Sequence, residues 1–378
     1  MPPLSVMIKP VSGNCNMRCT YCFYADALHH RQESSLAPMS LDTLEKLIRR
    51  ALAYADGSLS LVFQGGEPTL AGLPFYQAAV RLIRQYNARH LPVSLSIQTN
   101  GCHITPEWAA FFQEHGVLVG LSMDGCQAVH DAHRKDAAGQ GTYHRVATAA
   151  DILYQAGVSC NLLAVVTDTM VKHQEEALSA LSRFGYVQLI PCIEAFNDQD
   201  TESPRLSEQG WTQFLQGAWR LYQAAAASPS PISIRIFDNL LRILRGKQPD
   251  TCAMMGHCAH NLMVESNGDV YPCDFYGVDE WRLGNIHEEN FRLIARCPRE
   301  EAFLRCSLPI PEPCQVCPHY SLCRNGCMRD RDPHTGLNRW CGSMKSFLGS
   351  HTLELRHLAR RFDPNTPRSE RRAAIHRP

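Results

Sequence analysis

Residues 5–24 read Ser-Val-Met-Ile-Lys-Pro-Val-Ser-Gly-Asn-Cys-Asn-Met-Arg-Cys-Thr-Tyr-Cys-Phe-Tyr, an apolar run followed closely by three cysteines. Cys15, Cys19 and Cys22 supply three thiolates where an iron–sulfur cube needs four, so one iron would stay open to bind a small molecule. An open iron is typical of a reaction centre more than of a passive electron carrier. Two other interpretations remain, a zinc site completed by a nearby histidine and three unrelated buried thiols.

Short apolar runs rich in β-branched residues alternate with helical patterns through the first two-thirds of the chain. The apolar runs predict strands at 5–11, 58–64, 93–99, 117–123, 159–167 and 186–192. The helical patterns predict helices at 41–54, 74–89, 106–114, 142–155, 171–183 and 208–227. A repeated strand-then-helix order indicates parallel strands joined by right-handed crossovers, and therefore an open or partial α/β barrel. In such barrels the chemistry gathers where strands end and loops begin.

Composition limits the possible partners. The chain has 378 residues, with 37 basic and 37 acidic side chains, so no strong overall field draws it to nucleic acid or to an anionic membrane. Its apolar runs are far shorter than the roughly 20 residues of a bilayer span, and its first residues lack the pattern of a signal peptide. We therefore expect a cytoplasmic protein. In a reducing compartment, its 17 cysteines favour metal ligation over disulfides.

A second cysteine-rich region runs from Cys252 to Cys341 and is irregular and punctuated by Pro and Gly. Eight thiolates can ligate two complete iron–sulfur cubes, although two structural zinc sites fit the same ligands. The eight are Cys252, Cys258, Cys273, Cys314, Cys317, Cys323, Cys327 and Cys341. We interpret the cysteines outside both arrays as small buried hydrophobic residues. They are Cys102, Cys126, Cys160, Cys192, Cys297 and Cys306.

The strand–helix alternation stops near Ser228-Pro229-Ser230-Pro231. After the second cysteine array, residues 343–362 predict a closing helix that Gly349 interrupts. The tail after Pro364 is basic and polar, and we expect it to be solvated and mobile. A nucleic-acid or partner arm is the alternative interpretation of that tail.

Polar residues follow several predicted strands at one rim of the barrel. Gln64-Gly65-Gly66-Glu67 comes after the second strand, where two glycines bring bare backbone close to a ligand and Glu67 offers an acceptor for an ammonium group. Ser122 ends the fourth strand, and Arg134 lies further along with a planar fork suited to a carboxylate. Each segment alone is also compatible with ordinary turn chemistry. Together they predict a site for a polar ligand carrying amine, carboxylate and ribose groups.

The spacing Cys15-x3-Cys19-x2-Cys22, followed by Gly65-Gly66-Glu67-Pro68 on a βα-repeat scaffold, resembles the radical S-adenosylmethionine (SAM) enzymes over about residues 5–235. The resemblance implies a 4Fe–4S cluster on the three thiolates, with the open iron chelated by the amino and carboxylate groups of SAM. Reductive cleavage of SAM would give a 5′-deoxyadenosyl radical that removes a hydrogen atom from the substrate. The resemblance also implies cofactor-binding residues: Gly65, Gly66 and Glu67 at the methionine amine, Ser122 and Arg134 along the cofactor, and Tyr21 near the adenine.

The second cysteine array resembles the SPASM domain, which implies two auxiliary iron–sulfur clusters and hence three 4Fe–4S clusters in all. Because ligands interleave in that family, the resemblance implies two sets. One is Cys252, Cys258, Cys273 and Cys327, and the other is Cys314, Cys317, Cys323 and Cys341. The predicted architecture is a partial (β/α)6 radical-SAM barrel at 1–235, a SPASM domain at 236–342, and a C-terminal helix with a basic tail at 343–378.

The chain further resembles the anaerobic sulfatase-maturating enzymes, on Cys22-Phe23-Tyr24, on Gln64 before the double glycine, and on Tyr271-Pro272-Cys273-Asp274. This resemblance implies two-electron oxidation of a Cys or Ser in a sulfatase polypeptide to Cα-formylglycine. It implies that Asp274 is the general base for the thiol or hydroxyl proton, with Tyr24 and Gln64 near the target side chain. Without the resemblance, Asp274 is also compatible with a turn residue that binds local amides.

The implied partners are an unfolded or extended sulfatase segment and a reduced flavodoxin-like or ferredoxin-like electron donor. Backbone pairing to a strand edge is one way of holding the segment. Another SPASM peptide-modifying enzyme, forming thioether crosslinks or maturing a ribosomal peptide, would share every cysteine. A non-catalytic electron-transfer module is an alternative from a different class. The sequence leaves open whether Cys-type or Ser-type sulfatases are accepted.

Overall fold

The structure is a computed structural model that describes residues 3–33, 35–194, 205–226 and 231–361. Its strands are β1 Leu4–Ile8, β2 Leu59–Phe63, β3 Val93–Thr99, β4 Leu118–Ser122, β5 Cys160–Val166, β6 Tyr186–Pro191, β7 Ser233–Ile234, β8 Leu262–Val264, β9 Asp269–Tyr271 and β10 Gly284–Asn285.

Helices alternate with the first six strands and continue to the end of the described chain. The α-helices are α1 Phe23–His29, α2 Leu41–Tyr54, α3 Leu73–Tyr86, α4 Pro106–Glu114, α5 Gln127–His133, α6 Tyr143–Gln155, α7 Asp168–Lys172, α8 Gln174–Ser182, α9 Glu208–Ala226, α10 Arg235–Leu244, α11 Phe291–Ile294, α12 Pro298–Cys306, α13 Glu312–Gln315, α14 Tyr320–Cys323 and α15 Cys341–Arg361. Short 3-10 helices span Pro68–Ala71, Cys252–Met254, Asp274–Tyr276, Asp279–Trp281 and Met328–Asp330.

All ten strands belong to one sheet, in the order β10-β9-β8-β1-β2-β3-β4-β5-β6-β7. Strands β1 to β6 run parallel and consecutively, which confirms the predicted α/β architecture and its six strands. The second region extends the same sheet, because β8 pairs in parallel with β1, and β9 and β10 continue as antiparallel strands. The carboxyl end of β1 therefore lies beside the hairpin that leads to Cys273 and Asp274.

Residue alternation explains the strands, and capping explains the helix starts. In β1 and β2 every second side chain is buried, as in a sheet whose two faces differ. Ser40 starts α2 by accepting a hydrogen bond from Thr43 N at 3.1 Å, and Thr105 starts α4 in the same way with Trp108 N. The buried face of α2 includes Leu44, which packs in the core against the first strands.

The C-terminal helix is part of the barrel's second core. Phe347 of α15 stacks on Phe237 of α10 at 5.5 Å between ring centroids, and both pack against Trp219 of α9. All three side chains are at most 1% exposed. The barrel and the closing helix are thus held together by aromatic packing.

Three sequence expectations about single elements were wrong or incomplete. Helix 171–183 is two helices, because His173 leaves helical geometry at φ −109° and ψ 30° between α7 and α8. Gly349 does not interrupt α15, whose neighbouring residues Phe347 and Leu348 are buried in the second core. The region after Cys252 carries short strands and helices that periodicity did not predict.

Some expectations lie outside the described residues. These are residues 228–230 of the Ser/Pro segment 228–231, the ends of the predicted helices at Ala227 and Phe362, and the basic tail after Pro364. The bounds of the three predicted domains stay predictions.

Candidate active site

A cavity of about 450 Å³ lies on the inner face of the sheet. Its walls are side chains of β2 to β6 together with the loops after β1 and β2. Most of the residues expected at the site line it. They are Cys15, Cys19, Tyr21, Cys22, Tyr24, Gln64, Gly65, Gly66, Ser122, Arg134 and Asp274. The fold therefore brings residues that are more than 200 positions apart, such as Gln64 and Asp274, into one chamber.

The three thiols of the first motif share one wall of this cavity. Burial raises the pKa of Cys15 to about 11 and the pKa of Cys19 to about 12, and each thiol lies close enough to Cys22 to be influenced by its charge. Iron binding must displace these protons, since the metal ligand is the thiolate. The donor set, three thiols on one short loop, fits an iron–sulfur cube with an open iron.

The loop that carries the thiols is held from two sides. Glu67 N donates to Asn14 O at 2.8 Å, and Gly66 sits so close that a Cβ there would lie 2.1 Å from the same oxygen. On the other side, Asn100 donates to Asn16 Oδ1 at 2.7 Å and approaches Cys15 Sγ at 3.8 Å. Gly66 also has φ +51°, a conformation that favours glycine. The second glycine of the motif thus fixes where the first cysteine lies.

The first glycine of the motif leaves room for a lysine. A Cβ at Gly65 would lie 2.1 Å from Cδ of Lys9, and φ at Gly65 is +111°. Lys9 is completely buried. Gly65 still faces the cavity, so it brings bare backbone to the site and also allows the Lys9 side chain to cross it.

Glu67 lies behind the cavity wall. Its Oε1 accepts hydrogen bonds from Thr69 N, Thr69 Oγ1 and Thr99 Oγ1, at 3.0, 2.7 and 2.7 Å, and its Oε2 accepts from Asn100 N at 2.7 Å. The carboxylate is 1% exposed and ties the ends of β2 and β3 together. Its expected role as an acceptor for an ammonium group stays a prediction.

Tyr21 and Arg134 meet at a carboxylate that sequence reasoning did not assign to the site. Arg134 donates two hydrogen bonds to Asp124, at 2.9 and 3.2 Å, and the Tyr21 hydroxyl donates to the same carboxylate. Burial raises the pKa of Tyr21 well above its usual value, so the phenol stays protonated. Asp124 also accepts from Val165 N at 2.9 Å, which fixes it to β5. The expected residue Ser122 accepts from Gln98 at 2.8 Å nearby.

Asp274 faces the same cavity from the second region. Its Oδ2 accepts a hydrogen bond from Gln64 Nε2 at 2.7 Å, and its Oδ1 forms an ion pair with Lys9. The ring of Tyr24 lies under the Lys9 ammonium, 4.0 Å from the centroid, while its hydroxyl donates to buried Glu265. Burial and the Glu265 charge raise the pKa of Tyr24 well above its usual value. Asp274, Gln64 and Tyr24 therefore form one hydrogen-bonded and ion-paired group through Lys9.

The eight thiols of the second region fall into two groups. Cys252, Cys258, Cys273 and Cys327 lie close enough to shift one another's pKa upward. A separate small cavity is lined by the other four, Cys314, Cys317, Cys323 and Cys341. This grouping agrees with the pairing that the SPASM resemblance implies, and the ligand assignment stays a prediction.

The described residues contain neither a single-ion metal site nor a helix that could span a membrane. Within that part of the chain, no three His, Cys, Asp or Glu side chains are placed to hold one single metal ion. No helix of the same residues has both the length and the apolar character to cross a membrane.

Sequence reasoning assigned no individual role to several side chains that shape the site. Lys9, Asp124 and Glu265 are charged yet buried, and Asn100 braces the thiol loop. Lys9 had a readable signal, since it is a cation directly after a strand that is apolar except for Ser5. Glu265 had the same signal directly after β8.

Comparisons with known proteins agree with this geometry. A model of the radical SAM superfamily matches residues 10–181, and a model of an iron-sulfur cluster-binding domain, SPASM, matches residues 252–318. The cysteine-type anaerobic sulfatase-maturating enzyme of Clostridium novyi is 38% identical, over 95% of this chain and 98% of its own length. The serine-type enzyme of Klebsiella pneumoniae is 31% identical, over 95% of this chain and 90% of its own.

A solved structure supports the same relationship. Native anSMEcpe with bound AdoMet and Cp18Cys peptide matches with a TM-score of 0.90 and 37% identity, over 96% of this chain and all of that chain. Sequence relatives above 30% identity and a fold match across nearly the whole length leave one assignment. The chain belongs to the anaerobic sulfatase-maturating enzymes of the radical SAM superfamily.

Proposed function

We propose that this chain oxidises an active-site cysteine of a sulfatase polypeptide to Cα-formylglycine without oxygen. The observation that carries the proposal is the shared cavity, in which Asp274 from the second region faces the chamber that also contains Cys15, Cys19 and Cys22. A radical reaction centre and a proton acceptor in one chamber are what a side-chain oxidation requires.

The first motif and the rim residues fit the cofactors. Cys15, Cys19 and Cys22 would hold the first cluster, and the second region would hold two more on the two thiol groups described above. When bound, SAM with its cluster supplies hydrogen-atom abstraction, and the clusters of the second region supply an electron acceptor. SAM would lie along Tyr21, Gly65, Gly66, Ser122 and Arg134, with Glu67 behind the cavity wall.

Asp274 would take the proton of the target thiol. Its carboxylate keeps lone pairs free, because Gln64 occupies one position on Oδ2 and Lys9 occupies one position on Oδ1. The half-reaction removes one hydrogen atom from Cβ, one proton from sulfur and one further electron, which leaves a carbon–sulfur double bond. Water then replaces sulfur by oxygen and releases hydrogen sulfide. Tyr24 and Gln64 would hold the target side chain beside the carboxylate.

A cysteine-type substrate fits the relatives better than a serine-type one. The cysteine-type enzymes are 38–39% identical to this chain, and the serine-type enzymes are 31% identical. We propose an extended sulfatase segment as the physiological substrate, a flavodoxin-like or ferredoxin-like protein as electron donor, and the cytoplasm as the location. Cluster thiolates persist in such a reducing compartment.

The test uses the full chain, reconstituted without oxygen, with SAM, a reductant and a sulfatase-derived peptide of about 18 residues, long enough in extended form to cross a cleft. Mass spectrometry should find the cysteine peptide with two hydrogens lost and oxygen in place of sulfur. A thioether-forming enzyme would instead remove two hydrogens and keep the sulfur. An electron-transfer module would release no 5′-deoxyadenosine.

The base assignment is tested by Asp274→Asn. This variant should release 5′-deoxyadenosine nearly as fast as the native chain, while formylglycine falls by about 10²-fold, the lower range for loss of a general base. Asp42→Asn is the matched control, since that carboxylate is 69% exposed and pairs with Lys46 on the surface of α2. Formylglycine at the native rate in Asp274→Asn would remove Asp274 from the mechanism.

A further inference from the structure

Lys9 is a completely buried lysine whose ammonium is paired with Asp274. Lysine is almost never fully buried unless it is paired, because an unpaired ammonium loses its hydration. The Asp274 side chain is 10% exposed, so the pair lies at the inner wall of the cavity. The side chain of Lys9 reaches this wall across Gly65, which carries no Cβ to block it.

Lys9 is itself held by a second ion pair, Glu265 with Arg31, which acts on it through the ring of Tyr24. Its ammonium lies over Tyr24, whose hydroxyl donates to Glu265. Glu265 is completely buried and accepts from Arg31 Nη1 at 2.6 Å. Arg31 also packs over the ring of Tyr24, with 5.6 Å between its guanidinium carbon and the centroid. The series therefore runs from the Asp274 anion to the Lys9 cation, the Tyr24 ring, the Glu265 anion and the Arg31 cation. Its two negative and two positive charges cancel.

The far end of this series returns to the segment that carries Asp274. Arg31 Nε donates to the carbonyl of Gly277, just after the 3-10 helix Asp274–Tyr276. Both ends of the short segment 274–277 are thus fixed to buried cations, Lys9 at one end and Arg31 at the other. The segment belongs to the second region, and both cations come from the first 31 residues of the chain.

We propose that Lys9 is a positioning residue for Asp274, and that Tyr24, Glu265 and Arg31 keep Lys9 in place. Lys9 turns the carboxylate so that its free lone pairs face the cavity, which determines how well the substrate proton is captured. This inference rests on the proposed function of Asp274. It assigns Lys9 no contact with substrate, and it gives Tyr24 a task on Lys9 in addition to any contact with the target side chain.

The activity test compares Lys9→Met with Lys9→Arg in the reconstituted full chain. The measured quantity is the ratio of formylglycine to 5′-deoxyadenosine with the cysteine peptide. We expect Lys9→Met to lower this ratio by at least about tenfold, since small displacements of a reacting group cost that much or more. We expect Lys9→Arg to restore most of the ratio, because it keeps the cation. Lys46→Met is the control, a half-exposed lysine paired at 3.2 Å with Asp42, and it should leave the ratio unchanged.

A merely structural role would give a different result. If Lys9 only supported the fold, iron content, 5′-deoxyadenosine and formylglycine would fall together and the ratio would stay native, which would overturn the proposal. Glu265→Gln keeps an acceptor for Tyr24 and removes the charge that balances Arg31. It should lower the ratio less than Lys9→Met does. If Lys9→Met failed to fold, a native ratio in Glu265→Gln would overturn the proposal.

A second measurement does not depend on formylglycine. In anoxic urea titrations of the reconstituted chain, Lys9→Met leaves the Asp274 carboxylate without its counter-charge, and Asp274→Asn leaves the Lys9 ammonium without its own. The double variant leaves no unpaired charge. Each single variant multiplies the unfolding equilibrium constant by some factor. We expect the factor for the double variant to be at least about tenfold smaller than the product of the two single factors. Additive effects would show that the pair does not exist. Coupling without any formylglycine from the native chain would confirm the contact, refute the proposed function, and with it overturn the positioning role.

Discussion

Replacing Gly66 by alanine should dislodge the thiol loop, and a matched glycine elsewhere allows this effect to be separated from ordinary strain. Gly66 has φ +51°, and a Cβ there would lie 2.1 Å from Asn14 O and 2.9 Å from Ser12 O. Gly116 has nearly the same conformation, φ +60°, with nothing within 4 Å of its Cβ position. The two substitutions share the backbone strain and differ in the collision.

The strain and the collision can be given magnitudes. A left-handed conformation costs alanine about 1–2 kcal/mol, so Gly116→Ala should lower the free energy of unfolding by about that amount. Gly66→Ala adds overpacking against backbone, which costs about 1–3 kcal/mol more. Relief of the collision requires the Asn14 carbonyl to move, since ordinary contact begins at 3.4 Å and the starting separation is 2.1 Å. Asn14 directly precedes Cys15, so the first thiol moves with it.

The assay measures iron content and 5′-deoxyadenosine release after anoxic reconstitution of both variants. Gly66→Ala should bind less iron than Gly116→Ala and should release 5′-deoxyadenosine at least about tenfold more slowly, because an ångström-scale displacement of a reacting group has that effect. The thiols of the second region are far along the chain and should still assemble clusters. Equal iron content and equal release in the two variants would refute the reasoning that Gly66 fixes the thiol loop.

Three further predictions concern stability. Burial lowers the pKa of His130 to about 4, so as pH falls the histidine takes up a proton in the unfolded chain before it does so in the folded chain. The free energy of unfolding should therefore fall by up to about 3 kcal/mol between pH 6.5 and pH 4. His130→Gln should flatten that slope in anoxic urea titrations. Thr105→Ala removes the cap on Trp108 N and should lower the free energy of unfolding by about 1 kcal/mol, as read from the urea midpoint. Phe237→Ala should cost about 3–5 kcal/mol and loosen α15, so that amide exchange accelerates in that helix; exchange at the native rate there would refute the packing role.

Local sequence patterns predicted the barrel well because its signals are short-range. Helices Leu41–Tyr54 and Pro106–Glu114 begin and end where the pattern indicated, each with a capping residue just before it. The six parallel strands read as short apolar runs rich in β-branched residues, so all six were found. These elements needed no knowledge of distant contacts.

The failures required long-range contacts that a pattern does not contain. An exposed glycine costs a helix about 1 kcal/mol, so Gly349 suggested a break, yet the aromatic packing of Phe347 outweighs that cost. The three-residue strand β8 exists because β1 offers an edge, and its sequence alone is too short to be called a strand. For the same reason the Arg134 partner, Asp124, became visible only when the sheet placed both beside Tyr21.

The pairing of β8 with β1 explains why Asp274 and the thiol loop share one cavity. Ile8 pairs with Val264, and Lys9 N then donates to Val264 O at 2.9 Å, so the chain leaves β1 directly beside Glu265. Glu265 N and O close the hairpin of β8 and β9, which ends just before Cys273 and Asp274. A shift of one residue in this register would turn alternate side chains to the opposite face and separate Lys9 from Asp274. The register of the three residue pairs between β1 and β8 therefore sets the distance between the thiol loop and Asp274. The buried charges at Lys9 and Glu265 stabilise that register, because any other register would leave them without partners.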